Sequence, residues 1–209
     1  MFVIAVDGID GAGKTEFCKG LQQYITDTYN QGVVISSDLR NSFLGKEVRD
    51  LICSGRLTPL EELYLICAAR SQHCRWIRDC MAKSVAVILD RFSLSTYAYQ
   101  GAGGGLDSSY ISMVMNPLDT EHVDLQFVLN VSLPTARARL RQRGVPDGIE
   151  RRDSEYAARV AAFFELSCQT PGYVDIDAEQ TQEQMLFDAI PFIDGLIDKC
   201  EIPRRALNG

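Results

Sequence analysis

Residues 8–15 read Gly-Ile-Asp-Gly-Ala-Gly-Lys-Thr. This spacing of glycines, one lysine and one hydroxyl suits the binding of a polyphosphate. Gly8, Gly11 and Gly13 let the backbone curl, so that the N–H groups through Ile9, Asp10 and Ala12 can face phosphate oxygens. In such a loop the lysine, here Lys14, reaches the β- and γ-phosphates of ATP. The hydroxyl of Thr15 is the expected ligand of Mg2+. A short apolar run, Phe2-Val3-Ile4-Ala5-Val6, precedes the loop and reads as a buried strand. Residues 16–25 follow with apolar side chains at 17, 21, 24 and 25, the spacing of a helix. The helix N-terminus adds its positive dipole end to the loop.

The rest of the chain must supply a scaffold for that loop. Apolar runs at 2–6, 32–36, 85–90, 124–131 and 173–176 alternate with helical patterns. The alternation predicts parallel strands joined by crossover helices, hence an α/β fold with a five-stranded parallel sheet flanked by helices; with the phosphate loop added, the pattern is that of a three-layer P-loop NTPase fold. Val85-Ala86-Val87-Ile88-Leu89 is apolar without interruption, as in a strand buried on both faces. A long helix is expected from Pro59 to Lys83. Thr58-Pro59-Leu60-Glu61 forms its capping box, with proline at the first helical position. Further helices are expected at 133–143 (capped by Ser132), 155–168 and 182–198 (Thr181 and Gln184 as the capping pair). Pro191 should kink or break the last one. The tail from Pro203 to Gly209 is expected to be loose. No repeat or linker divides residues 1–209, which read as a single domain.

Composition narrows the function classes. The 209 residues are 46% hydrophobic and 23% charged, as in a typical globular domain. A net charge of −7 speaks against a nucleic-acid partner, which needs a basic face. No apolar run approaches the ~20 residues of a membrane span. Asp7 interrupts the N-terminal apolar run, and no basic segment precedes it, so neither a signal peptide nor a membrane partner is expected. Cys18, Cys53, Cys67, Cys74, Cys80, Cys168 and Cys200 show no paired framework, which suits a reducing, cytoplasmic setting. Cys67, His73, Cys74 and Cys80 share one expected helix, but their spacing does not gather three on one face. They read as small core side chains rather than metal ligands.

A second constellation begins at Asp90-Arg91-Phe92, at the C-terminal end of the third expected strand. Open α/β sheets bind ligands beyond those ends. Asp90 there can orient Mg2+ through water or fix an arginine, and Arg91 can fork onto a phosphate. Ser95-Thr96-Tyr97-Ala98-Tyr99-Gln100-Gly101 follows, and an arginine-rich stretch comes later, Leu140-Arg141-Gln142-Arg143-Gly144-Val145-Pro146-Asp147-Gly148-Ile149-Glu150. With the phosphate loop, these motifs closely resemble the thymidylate kinases, P-loop nucleoside monophosphate kinases. The resemblance runs from about residue 2 to about residue 198.

The resemblance implies a helical lid at about 141–153 and phosphorylation of dTMP by ATP with Mg2+. It implies that Gly8, Gly11, Gly13, Lys14 and Thr15 hold ATP, and that Asp10 faces the acceptor and the metal. Arg91 would bind the acceptor phosphate, and Arg70 the thymine carbonyl. Thr96 and Gln100 would face the base edge, and Tyr99 would pack under the sugar. The family also suggests a homodimer built through the helices after the phosphate loop and in the middle of the chain. Phosphoryl transfer is chiefly positioning and charge neutralisation, so a lid arginine is needed beside Lys14 and Arg91. The candidates are Arg139, Arg141, Arg143, Arg151 and Arg152. Arg143 is the first choice for the catalytic role, with Arg139 beside it on ATP.

Four positions depart from the family pattern. Ser37 stands where the family has an arginine for the acceptor phosphate, and Arg40 could substitute for it. Ile66 stands where a phenylalanine stacks on the base, a loss of about 1 kcal/mol. Gly148 replaces a lid arginine, and Glu16 replaces a hydroxyl residue after the loop. Two of these touch the acceptor pocket, so the sequence leaves open a kinase of another deoxynucleoside monophosphate, such as a 5-substituted dUMP. A non-catalytic nucleotide-sensing module is the alternative from another class; intact Lys14, Asp10 and Arg91 oppose it.

Overall fold

The computed structural model describes residues 1–37, 39, 42–116, 122–144 (at 143 the backbone alone) and 153–204. Five strands form one sheet: β1 (Val3–Gly8), β2 (Val33–Ser36), β3 (Ala86–Asp90), β4 (Leu125–Asn130) and β5 (Tyr173–Asp177). Their order is β2-β3-β1-β4-β5, and every pairing is parallel. Each expected strand is present, with ends moved by one or two residues. The chain places β2 and β3 on one side of β1, then crosses to β4 and β5 on the other. The crevice at that reversal, beyond the C-terminal ends of β1 and β3, is where open sheets of this kind hold ligands.

Strand alternation divides the core in two. Phe2, Ile4, Val6, Ala86 and Ile88 face one layer, with Phe17, Leu21 and Ile25 of α1 (Lys14–Tyr29) and Met185, Ala189 and Ile193 of a C-terminal helix. Val3, Ala5, Val87 and Leu89 face the other, against Cys74 and Ile77 of the long helix Pro59–Ala82. That helix, α3, follows α2 (Gly45–Cys53). Its capping box is complete: Thr58 accepts from the Glu61 N–H, and Glu61 accepts from the Thr58 N–H at 2.7 Å. Cys67 packs with Leu63, Ile111 and Met115, while Cys74 packs against β1 and β3. His73 pairs with Ser36 Oγ at 2.7 Å. The three side chains thus serve three separate contacts. No helix among the described residues is long and apolar enough to cross a membrane.

Between β3 and β4 lie elements that periodicity did not announce. A short helix, α4 (Ser93–Thr96), runs into a π-helical segment (Tyr97–Gly103), followed by α5 (Ser108–Met115). The glycines here mark close packing. A Cβ on Gly103 would lie 2.6 Å from the Tyr156 ring, and one on Gly104 would lie 2.7 Å from Pro59. The carbonyls of this segment are braced from outside it. Tyr156 donates to the Tyr99 carbonyl at 3.0 Å, and Arg159 donates to those of Ala102 (3.1 Å) and Gly103 (2.7 Å). Both donors come from α7 (Ser154–Cys168), which follows α6 (Leu133–Arg143).

The last helix, α8 (Gln182–Lys199), runs through Pro191 without the break that was one of the two expected outcomes. Pro191 lies on the exposed face, where the carbonyl it leaves without a donor meets water, and Ala189 and Ile193 anchor the helix on either side. The tail is not wholly loose either. Arg204 donates to Asp194 Oδ2 at 2.5 Å and lies over the Tyr29 ring at 5.5 Å. Asp194 Oδ1 accepts from Tyr24 (2.7 Å) and Tyr29 (2.6 Å), so α8 clamps the far end of α1. Burial pushes the Asp194 carboxyl up, but these hydroxyls and Arg204 hold it below the usual carboxylate range.

Candidate active site

The phosphate loop leaves β1 at Gly8 and enters α1 at Lys14. All three of its glycines are obligatory: a Cβ on Gly8, at φ of +150°, would lie 2.7 Å from the Leu129 carbonyl oxygen. Gly11 has φ of +87°, and a Cβ there would lie 2.4 Å from the Ala136 carbonyl oxygen of α6. Gly13 has φ of +90° and caps α1. Ile9 and Ala12 are buried, with the Ala12 N–H on the Ile9 carbonyl at 3.2 Å, so the curl is tied within itself. Lys14 is buried, and its Nζ donates to the carbonyls of Gly8 (2.9 Å) and Ile9 (2.7 Å). Burial first, then the nearby Arg91 guanidinium, bring its ammonium down to about 8, against the pull of Asp10, Asp90 and Asp7. Glu16 turns outward and pairs with Lys19 at 2.7 Å, so this departure lies on the surface.

Thr15 Oγ1 donates to Asp90 Oδ2 at 2.7 Å. The pairing is possible because Val6 is in register with Asp90, which sets the end of β3 beside the loop. A hydroxyl and a carboxylate side by side are hard oxygen donors. They fit a small divalent cation held through one or two protein ligands and the phosphates.

Arg91 joins the loop to the neighbouring cleft. Its Nη2 is paired with Asp10 Oδ1. Its Nη1 reaches the Gly8 carbonyl and the Tyr99 hydroxyl, both at 3.3 Å, and Ser95 Oγ at 3.5 Å. Tyr99 donates to Asp10 Oδ2 at 2.9 Å, and its ring lies 5.3 Å below the guanidinium. Burial works against the charge on Arg91, but Asp10, Tyr99 and Asp90 raise its hold on the proton above the ordinary arginine level. Burial, ahead of Asp10, likewise keeps the Tyr99 phenol protonated.

The cleft opens to solvent and is lined by both charged and apolar side chains, as small-ligand sites are. The structure brings Asp10, Ile66, Arg70, Arg91, Thr96, Tyr99 and Gln100 to its wall, together with Asp90 and Ser37. Arg70 is almost fully buried. Its guanidinium donates to Thr96 Oγ1 (3.2 Å) and Ser93 Oγ (3.4 Å) and sits 4.9 Å over the Phe92 ring. Gln100 donates to Glu62 Oε2 at 2.9 Å, which fixes the amide's orientation. Ile66 packs with Val48, Ile52 and Ala69, giving an aliphatic wall where the family has an aromatic one. Leu39, Arg49, Ile52, Phe92 and Ser95 also line the cleft and were missed by the sequence reading. For Arg49 a signal existed: Val48 and Ile52 give α2 an apolar face toward α3, and Arg49 lies beside it.

The donor-side arginines are less gathered. Arg139 donates to the Ala178 carbonyl at 2.8 Å, beyond β5, one turn along α6 from Ala136 at the loop. Arg141 is exposed. Arg40, Arg151, Arg152 and the Asp147-Gly148 departure lie outside the described residues, as does the Arg143 side chain and most of the expected lid. Arg137, absent from the sequence candidates, lines a second hollow with Ile9, Asp10 and Tyr99.

Comparison with known proteins agrees with this arrangement. Residues 6–189 match the thymidylate kinase family model. The chain is 34% identical over 192 residues to the thymidylate kinase of Baumannia cicadellinicola, covering 85% of this chain and 88% of that one. It is 32% identical over 203 residues to the thymidylate kinase of Trichodesmium erythraeum (87% and 90% covered) and 34% identical over 190 to that of Xanthomonas campestris (90% and 80%). A match of this length, over a parallel sheet that brings the phosphate loop and the Asp90-Arg91 turn together, means that the chain belongs to the thymidylate kinase family.

Proposed function

We propose that this enzyme transfers the γ-phosphoryl group of ATP to the phosphate of dTMP, giving dTDP and ADP. One observation carries the reading: Asp10 belongs to the phosphate loop, lines the cleft and pairs with Arg91, so donor and acceptor sites share a wall. An acceptor phosphate oxygen attacks the γ-phosphorus while the bond to the β-bridging oxygen breaks, and the electron pair leaves with ADP. Lys14 and the α1 N-terminus hold the donor phosphates, and Arg91 holds the acceptor's. Arg70, Thr96 and Gln100 take the base, and Tyr99 supports the sugar. Thr15 and Asp90 would hold Mg2+, which supplies positive charge against the phosphates when bound. We further propose one domain over 1–209 with a lid at about 141–153, Arg143 as its catalytic arginine, Arg139 on ATP, and a homodimer. The test is ADP release with Mg-ATP against dTMP, dUMP, a 5-substituted dUMP, dCMP and thymidine. Preference for dTMP is expected, and equal turnover of another monophosphate would move the specificity to Ile66 and Ser37.

The Lys14 ammonium gives this reading a pH signature. Its pKa of about 8 lies below the ordinary lysine value. Bound phosphates favour the charged form and must raise that pKa. ATP therefore binds tightest below pH 8, weakens as pH rises through 8, and takes up a proton as it binds above that point. Titration calorimetry at pH 8.5 in buffers of different ionisation enthalpy should show the uptake; at pH 6.5 it should vanish. For folding the sign is opposite: stability from this group is lowest below 8 and recovers as pH rises toward the unfolded value.

A further inference from the structure

We infer that Asp7 is the positioning residue for Arg91. Arg91 carries a side chain in the left-handed region, φ of +76°, a conformation that persists only when its surroundings hold it. Two consecutive residues of β1 provide the hold. The Val6 carbonyl accepts from the Arg91 N–H at 3.0 Å. The Asp7 carboxylate accepts from the next N–H, that of Phe92, at 3.2 and 3.3 Å. Asp7 also accepts from the Ser95 hydroxyl, which is itself the acceptor of Arg91 Nη1 at 3.5 Å. Gln126 Nε2 on β4 completes the set at 3.2 Å.

Asp7 is fully buried, and burying a carboxylate is costly unless donors surround it. Its donors lie almost wholly in the turn that carries Arg91. It grips that turn twice, through the backbone after the arginine and through the hydroxyl beside the guanidinium. The carboxylate thereby fixes both the strained backbone and the direction of the fork, at a distance from the phosphates that it never touches. Loss of this grip should show at the acceptor's phosphate and spare the donor's, because Lys14 and the loop amides are held by other contacts.

The inference rests on Arg91 as the acceptor's ligand, and the experiment separates the two. Affinity for dTMP and for ATP is measured by titration calorimetry in Asp7→Asn, Ser95→Ala, Arg91→Ala and the double variants, alongside kcat. Asp7→Asn should weaken dTMP binding by about tenfold and lower kcat, with ATP affinity changed by no more than about twofold; in the Arg91→Ala background the same substitution should change dTMP affinity by less than about twofold. A purely structural role would reduce the active fraction and leave both affinities alone, which overturns the inference, as does full additivity with Arg91→Ala. Should Asp7→Asn not fold, Ser95→Ala decides by the same cycle: coupling to Arg91 supports the hold, additivity overturns it. If Arg91→Ala leaves dTMP affinity intact, the reading of Arg91 itself fails and takes this inference with it.

Discussion

The Lys14→Met enzyme is expected to lose phosphoryl transfer almost entirely, with kcat down by roughly 10³-fold, a barrier increase of about 4 kcal/mol. Methionine keeps the length of the side chain and removes its charge and donors. Nζ bridges the carbonyls of Gly8 and Ile9, so the lysine is anchored at the rim where phosphates would lie. Little reorganisation is then needed for it to act on the moving group, and an already buried cation acts more strongly than one in water. The substitution also removes the cost of burying that charge, which offsets the two carbonyls left without a donor. The melting temperature should therefore change little, and a coupled ADP assay on folded protein checks the prediction. Binding of dTMP should persist, because Arg91 is held by Asp10, Tyr99 and Ser95 rather than by Lys14.

What could be read in advance divides by the range of the contacts involved. The phosphate loop is local: one octapeptide between an apolar run and a helical pattern, with geometry set by its own glycines. The strands were legible because burial on both faces leaves an unbroken apolar signature, as in Val87-Ile88-Leu89. Arg70, Thr96, Tyr99 and Gln100 came from motif resemblance, and the cleft gathers all four. Asp7 was different. In sequence it only interrupts an apolar run, because its partners lie 85 or more residues away and their convergence depends on β1 lying between β3 and β4. The π-helical segment was hidden for a similar reason. Its glycines are those of a loop until Pro59 and Tyr156 press against them. Pro191 left two outcomes open, a kink or a break, because one residue type cannot say whether the helix continues past it; Ala189 and Ile193, buried on either side, carry it on.

Arg91→Ala is expected to weaken dTMP binding by about 10²-fold and to lower kcat by a similar factor, the effect of removing a forked, charge-assisted contact from a buried site. Two causes add. The acceptor's phosphate loses its donors, and Asp10 keeps its carboxylate beside that phosphate without the guanidinium that balanced it. Arg91→Lys should restore only part of the affinity, since an ammonium cannot span Asp10, the Gly8 carbonyl and Tyr99 as the fork does. The same variant has a signature at the other substrate. Arg91 is the nearby cation that depresses the Lys14 pKa, second only to burial. Its removal must raise that pKa, so ATP affinity at pH 7 stays nearly constant while the pH at which it weakens moves upward from about 8. A fall in ATP affinity at pH 7 would instead mean that Arg91 grips the donor's phosphates. The pH profile of ATP binding in Arg91→Ala therefore decides which substrate the arginine serves, independently of turnover.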